Sequence, residues 1–323
     1  MLVGGKDYKS VWFDDGKLMA INQEKLPSNF EVVSSDNYSM IAGFIRDGTV
    51  SGSSAVGVAA AFGIALASIE GEKTKNPKAI ELARDRLLSS SPVYCLKNCV
   101  ERVYLKACVS AEDALSEAKK IYEEVVLESK LISENGSGLI KNGHRIATHG
   151  NAGWLSSIDW GTVGGSISTA REKGREIFVF VGETRPFNRG SRLTAWELKN
   201  GGIDHAIIID DAFAHFMQKG DVDMVMVGAD RIFLSGNAVN TIGTLEKAIA
   251  AKEFGVPFYV AASMSAFDRL NEDGNKTTGE EAPSKAWNPE FDLTLAKYIT
   301  GIVTPHGIIG PKKSEIMKLI KTF

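Results

Sequence analysis

Residues 224–231 read Met224-Val225-Met226-Val227-Gly228-Ala229-Asp230-Arg231, an apolar run that ends on glycine and a carboxylate. Four apolar residues without polar alternation fit a strand buried on both faces, as in a parallel sheet. Five further short runs resemble it: Arg145–Thr148, Ile177–Val181, His205–Ile209, Phe258–Ala262 and Ile299–Val303. Helical stretches lie between them, such as Gly165–Lys173, Arg192–Asn200 and Asn237–Phe254. Strands alternating with helices predict an α/β fold with a doubly wound, Rossmann-like parallel sheet. Ligands on such sheets bind at the carboxyl ends of the strands, so the loops that follow them are where chemistry is expected.

Upstream the texture differs. Val11-Trp12-Phe13 and Leu18-Met19-Ala20 flank Asp15-Gly16, a pair suited to a type I′ turn, so a hairpin is expected over Val11–Asn22. Residues 35–134 read as mostly helical. Ser51-Gly52-Ser53-Ser54 leads into a small-residue helix over Ala55–Ser68, and Asn76-Pro77 reads as a helix start. Ser110 with Asp113 resembles a capping box, and Asn135-Gly136 reads as a helix stop. Ala114, Leu115, Ala118, Ile121, Tyr122, Val125 and Val126 fall on one face and read as core packing. Two domains are expected: a mainly helical N-terminal domain over 1–134 with a small β-hairpin, and a Rossmann-like domain over 135–323. Asn271–Lys285 reads as a hydrophilic surface loop.

The chain has 323 residues and a formal net charge of −3, which removes the electrostatic drive for broad nucleic-acid binding. Hydrophobic residues at 44% and charged residues at 24% are ordinary globular usage. Cys95, Cys99 and Cys108 are odd in number and form no CxxC, so they are expected as buried free thiols in a reducing compartment. No apolar signal segment is expected at the N-terminus, and the run Ala55–Ala67 is too short to span a bilayer. His144, His149, His205, His215 and His306 show no metal-ligand spacing. The expectation is a soluble cytoplasmic protein with no membrane segment, no nucleic-acid partner, no metal and no cofactor.

Four post-strand segments stand out. His149-Gly150-Asn151-Ala152-Gly153 exposes backbone N–H groups; it reads either as an anion nest or as a tight turn. Glu183-Thr184-Arg185-Pro186 with Arg189-Gly190-Ser191-Arg192 carries three arginines, for a phosphate or for a solvated charged loop. Asp230 reads as a general acid or base, or as a helix cap or partner of Arg231. Asn237–Thr244 runs into a helix N-terminus, a second possible phosphate cradle. No GxxxxGK[ST], strand-linked GxGxxG or GxSxG is present.

The chain resembles the 5-methylthioribose-1-phosphate isomerase family, in the superfamily of ribose-1,5-bisphosphate isomerase and the alpha, beta and delta subunits of initiation factor 2B. The resemblance covers nearly the whole chain. Its carriers are Glu183-Thr184-Arg185-Pro186, Arg192-Leu193-Thr194-Ala195-Trp196-Glu197-Leu198, Val227-Gly228-Ala229-Asp230-Arg231-Ile232 and Ile242-Gly243-Thr244. Pro257-Phe258-Tyr259-Val260-Ala261-Ala262 and Asn288-Pro289-Glu290-Phe291-Asp292 add to it. The resemblance implies a methionine-salvage isomerase of a sugar phosphate, a homodimer, and a site between the domains.

At that site the sequence departs from the family. Asp230 matches the acid/base aspartate, but Gly150 stands where the family has a cysteine. Ser51-Gly52-Ser53-Ser54 and Ser91-Pro92 lack the family's two phosphate-side arginines, and Asn240-Thr241 lacks a substrate-facing lysine. Arg189 replaces a glutamine. A charge-assisted hydrogen bond is worth roughly 1.5–3 kcal/mol, so the absence of three cations weakens dianion binding by about 5–9 kcal/mol if additive. The expected substrate-binding set is therefore Ser51, Gly52, Ser53, Ser91, Arg189, Asn240 and Thr241. Three functions are consistent with it: an aldose–ketose isomerase of a methylthio- or deoxyribose-phosphate-like sugar, a catalytically silent regulatory or ligand-binding protein, and an enzyme of altered chemistry.

Overall fold

Asp15 and Gly16 turn the chain with φ of 44° and 73°, the two left-handed residues that a type I′ hairpin needs. The computed structural model describes residues 1–76, 78–274 and 289–322. It divides into two units, the first formed by Met1–Leu127 together with Trp154–Asp159.

In the first unit β1 (Leu2–Val3) and β2 (Lys6–Asp7) make a small ribbon. The expected hairpin is β3 (Val11–Asp14) and β4 (Lys17–Ile21), and β5 (Val32–Ser35) adds an antiparallel third strand. Helices α1 (Tyr38–Arg46), α2 (Ser53–Thr74), α3 (Ala79–Leu88) and α4 (Tyr94–Ala107) follow, and α5 (Ala111–Ser137) starts here, its residues from Glu128 on counting with the second unit. Every residue of α2 from Ala55 to Ser68 is buried, because its glycines and alanines let neighbouring elements close on all sides. Phe62 of α2 stacks on Phe13 of β3 with ring centroids 4.8 Å apart. The helix runs on past Ala67 and by length and composition alone could cross a membrane, but its apolar stretch is mostly buried inside the protein. Ser110 caps α5 as expected, accepting from the Asp113 N–H at 3.0 Å. Asn76 accepts from the Lys78 N–H at 3.1 Å just before α3, while Pro77 of that expected start lies outside the described residues. Cys95 and Cys99 are buried, but Cys108 is exposed, at the end of α4 where no element covers it.

The second unit is Glu128–Gly153 with Trp160–Phe323. Its elements are β6 (Arg145–His149), α6 (Val163–Glu172), β7 (Phe178–Gly182), a π-type turn over Gly190–Thr194 continuing into α7 (Ala195–Asn200), β8 (Asp204–Ile208) and α8 (Phe213–Gln218). Then come β9 (Met224–Gly228), β10 (Arg231–Ile232), β11 (Ala238–Thr241), α9 (Thr244–Glu253), β12 (Phe258–Ala261), β13 (Phe291–Thr294), β14 (Gly301–Thr304), β15 (Gly307–Ile309) and α10 (Lys313–Thr322). The main sheet has seven strands in the order β15-β14-β12-β9-β6-β7-β8, with only β15 antiparallel. All six expected strands are its parallel members. Val179, Val181, Val225, Val227, Val260 and Ile302 are buried in them, which is why those runs lack polar alternation. From β6 the chain builds outward through β7 and β8, then returns to build β9, β12 and β14 on the other side. The topological switch point therefore lies between β6 and β9.

Two expectations are corrected here. Asn237–Phe254 is not one helix: Ala238–Thr241 pairs with β10 and β13 in a separate antiparallel sheet, and α9 begins only at Thr244. Valine and threonine among polar neighbours suit that short edge better than a helix. Asn135-Gly136 does not stop α5. Asn135 donates to the carbonyls of Thr304 and Pro305, at 2.9 and 3.3 Å, and a Cβ on Gly136 would lie 2.1 Å from Ser166 Oγ. These two residues serve packing, and the helix runs on to Ser137. The expected loop Asn271–Lys285 is described only through Gly274, where it is irregular; residues 275–288, including Asn288, lie outside the described residues.

Candidate functional site

The loops after β6 and β9 flank the switch point, where an open α/β sheet leaves a crevice at its strand ends. After β9 comes Asp230, only 9% exposed, whose N–H donates to the Val239 carbonyl at 2.9 Å. That bond fixes Asp230 beside the strand that carries Asn240 and Thr241. The helix-cap reading of Asp230 falls. The next element is a strand, so there is no helix to cap. The Arg231 guanidinium turns to Asp268, with Nε at 2.8 Å, and lies over the Phe233 ring. Burial alone would push the Asp268 carboxyl up, but the N–H of Leu270, the Asn271 side chain and Arg231 hold it below its ordinary value.

After β6 the chain reaches Gly150 at φ +76°, a conformation that disfavours any other residue. A Cβ there would start 3.1 Å from Thr241 Oγ1, so Gly150 and Thr241 face each other closely, and a side chain at 150 requires Thr241 to shift by a few tenths of an ångström. The Thr194 hydroxyl donates to the Gly150 carbonyl at 2.8 Å, and Asn151 Nδ2 donates to Glu197 Oε1 at 2.9 Å. The π-type turn and α7 thus clamp this loop from outside. His149 is the last residue of β6. Its ring is buried, with Nε2 2.7 Å from the Ile242 carbonyl.

The three arginines of the loop after β7 engage protein partners. Arg189 donates to Glu290 at 3.1 Å and lies over the Phe187 ring. Arg185 reaches Asn188 at 3.5 Å, and Arg192 reaches the Phe187 carbonyl at 3.2 Å. The phosphate cradle expected at the start of α9 is filled by this chain itself. Asp292 Oδ2 accepts from the N–H groups of Gly243 and Leu245, at 2.7 and 3.1 Å. Burial pushes the Asp292 carboxyl up despite those two bonds. Asn240 Nδ2 donates to Thr244 Oγ1 at 3.1 Å, bracing the turn between β11 and α9.

In the first unit Gly52 stands at the N-cap of α2 with φ +96°, followed by Ser53 and Ser54 in the first turn. Ser51 is held through its carbonyl, which accepts from Gln23 Nε2 at 3.1 Å. Ser91 precedes α4 and accepts from the Val93 N–H at 3.4 Å. The Cys95 thiol donates to the Ser53 carbonyl at 3.0 Å, which brings the N-terminal ends of α2 and α4 side by side. Two positive helix ends fringed by serine hydroxyls favour an anion without any basic side chain.

Sequence alone does not reveal Thr194, Glu197 and Asp268 as supports of these loops, because each acts across a long stretch of chain. Lys247 did carry a signal: a lysine on the buried face of α9, with Ala248 and Ala251. Among the described residues no group of three or more His, Cys, Asp or Glu is arranged to hold a metal ion.

A model described as the initiation factor 2 subunit family matches residues 49–311. The chain is 39% identical to a methylthioribose-1-phosphate isomerase of Acetivibrio thermocellus, over 96% of this chain and 99% of that protein. The crystal structure of 5-methylthioribose 1-phosphate isomerase from Pyrococcus horikoshii superposes with a TM-score of 0.89 at 31% identity, over 98% of this chain and 97% of the other. The crystal structure of translation initiation factor eIF-2B, subunit delta, from A. fulgidus gives 0.85 at 36% identity, over 98% and 100%.

Proposed function

The chain belongs to the initiation factor 2 subunit family, and on that premise we propose that it is an aldose–ketose isomerase acting on a methylthioribose 1-phosphate-like or deoxyribose 1-phosphate-like sugar. The observation that supports this reading is Asp230, a buried carboxyl at the end of β9 on the switch point, beside Asn240 and Thr241 and with Arg231 drawn off to Asp268.

One carboxyl is sufficient for the proton traffic. Protonated Asp230 gives its proton to the ring oxygen as the bond from C1 to that oxygen breaks. A hydrogen then moves with its electron pair from C2 to C1, and the C2 hydroxyl proton passes to Asp230 as the ketone forms. The carboxyl returns to its starting state, and no thiol at position 150 is required for the balance. Asn240 and Thr241 hold the sugar hydroxyls. Within the first unit, Ser51, Gly52, Ser53 and Ser91 lie at helix ends, each end worth about 0.3–1 kcal/mol to an anion, where an arginine would supply roughly 1.5–3 kcal/mol per charge-assisted hydrogen bond. Binding is accordingly weaker than a site with arginines would give.

The test is turnover of methylthioribose 1-phosphate followed by NMR, against Asp230→Asn. Loss of one partner in proton transfer lowers such rates by about 10²–10⁴-fold. Wild-type turnover no greater than that of Asp230→Asn would end the isomerase reading. The bare Gly150 favours a second reading, a silent ligand-binding or regulatory protein. Calorimetric binding without turnover would select it, and turnover of a different ligand would select altered chemistry.

A further inference from the structure

Beneath the turn between β11 and α9 lie four ionisable side chains from four different segments: His149 at the end of β6, Asp210 before α8, Lys247 in α9 and Asp292 in β13. We propose that they form a positioning quartet, which fixes the Ile242–Gly243 turn and so sets Asn240 and Thr241 against Gly150. The role as a ligand-site support rests on the reading of those three residues as ligand contacts.

Lys247 is fully buried, an expensive place for a charge without a counter-ion. Its Nζ lies 2.7 Å from Asp210 Oδ1, donates to the Gly243 carbonyl at 3.2 Å, and sits over the Phe213 ring. The same Asp210 oxygen lies 3.3 Å from His149 Nδ1. Lys247 and Asp210 form an ion pair, and His149 Nδ1 faces the same carboxylate oxygen, so the three groups gather around it. The other nitrogen of His149 faces the Ile242 carbonyl, and Asp292 takes the Gly243 and Leu245 N–H groups. The Ile242 carbonyl and both polar groups of Gly243 thus meet quartet members, while the Ile242 N–H donates to the Glu290 carbonyl at 2.9 Å. A Cβ on Gly243 would lie 3.0 Å from Lys247 Nζ, 3.1 Å from Asp210 Oδ2 and 3.2 Å from His149 Nε2, so the turn rests directly on three of the four. Lys247 and the His149 ring are fully buried while Asp210 and Asp292 are half-buried, and gathering these charges serves no packing purpose that apolar residues would not serve as well.

The test is hydrogen–deuterium exchange of wild type and Lys247→Met. Exchange in peptides covering 149–153 and 240–246 is expected to rise about five- to ten-fold, the effect of losing one net hydrogen bond locally. Peptides from β7 and β12 are expected to stay unchanged. Unchanged exchange at the turn, or an equal rise everywhere, overturns the quartet. If Lys247→Met does not fold, the paired change Lys247→Met with Asp210→Asn removes a cation and an anion together and is read by the same criterion. In turnover of methylthioribose 1-phosphate, the variant is expected to raise KM about ten-fold with kcat nearly unchanged, since Asp230 is carried by a different loop. A merely structural role would lower the active fraction, and so kcat, without moving KM. An exchange response in a protein that turns over no sugar leaves the quartet standing and removes the isomerase reading, so the two failures are distinguishable.

Discussion

The Thr241 hydroxyl oxygen stands 3.1 Å from the point where a side chain on Gly150 would begin. The two positions are sterically coupled, so a thiol at 150 needs both a small shift of Thr241 and a left-handed backbone at a non-glycine residue. Gly150→Cys is expected to cost about 1–2 kcal/mol for the left-handed backbone alone, and to give no gain in turnover. Gly150→Cys with Thr241→Ala should recover part of the loss. Urea midpoints measure this, and a single variant as stable as wild type would show that the loop is not bound to its present φ.

Asp268 holds the guanidinium that follows the proposed acid/base, and it is 1% exposed. Asp268→Ala leaves Arg231 part-buried without its counter-ion, and is expected to cost about 3–5 kcal/mol of stability. Arg231→Met added to Asp268→Ala should return most of it. Chemical denaturation of the two variants tests this, and equal stability would mean that the pair is solvated.

The same carboxyl predicts an acid limb in stability. Burial opposes its charge, but its hydrogen bonds and Arg231 hold it below the unfolded value of about 3.9. Stability from a lowered carboxyl is complete above the unfolded value and is lost as pH falls through the folded one. Wild type should therefore lose more of its melting temperature between pH 5 and pH 3, in order of magnitude a few degrees, than Asp268→Asn does. Parallel curves would remove Asp268 from the account.

Gly136→Ala sets helix propensity against packing. Alanine favours a helix interior by about 1 kcal/mol, and less at Gly136 in the last turn of α5, while overpacking against Ser166 costs about 1–3 kcal/mol. A lower melting temperature is expected, and a higher one would show that Ser166 moves aside freely.

The six parallel strands were legible because burial on both faces leaves unbroken apolar runs such as Met224–Val227. Ala238–Thr241 was not, since a short strand in a small side sheet has no such run and takes its identity from β13, some fifty residues later. Asn135-Gly136 misled for a related reason: turn-forming residues were chosen for close approach to Ser166 and Thr304. At the site, Asp230 and the Gly150 loop were legible as polar residues directly after apolar strands. Arg189 was expected to face a ligand, but Glu290 takes it, and that pairing appears only when residues a hundred positions apart meet. His149, Asp210, Lys247 and Asp292 come from four segments, and only Lys247 breaks a local pattern.

Trp154–Asp159 belongs to the first unit although the chain has already entered the second at Glu128. Within the first unit those six residues supply the Leu155 carbonyl to Gln23 at 3.0 Å, the Ser156 carbonyl to Ala55 at 3.2 Å, the Ser157 carbonyl to the Ser10 hydroxyl, and the Asp159 carboxylate to Lys9. On the ribosome, then, the first unit cannot close when its helices have emerged; it waits for a return thread about twenty-five residues behind them. Until that thread arrives, α2 lacks the Ser156 carbonyl that meets the Ala55 N–H in its first turn, and a fragment ended at residue 134 would lack it permanently.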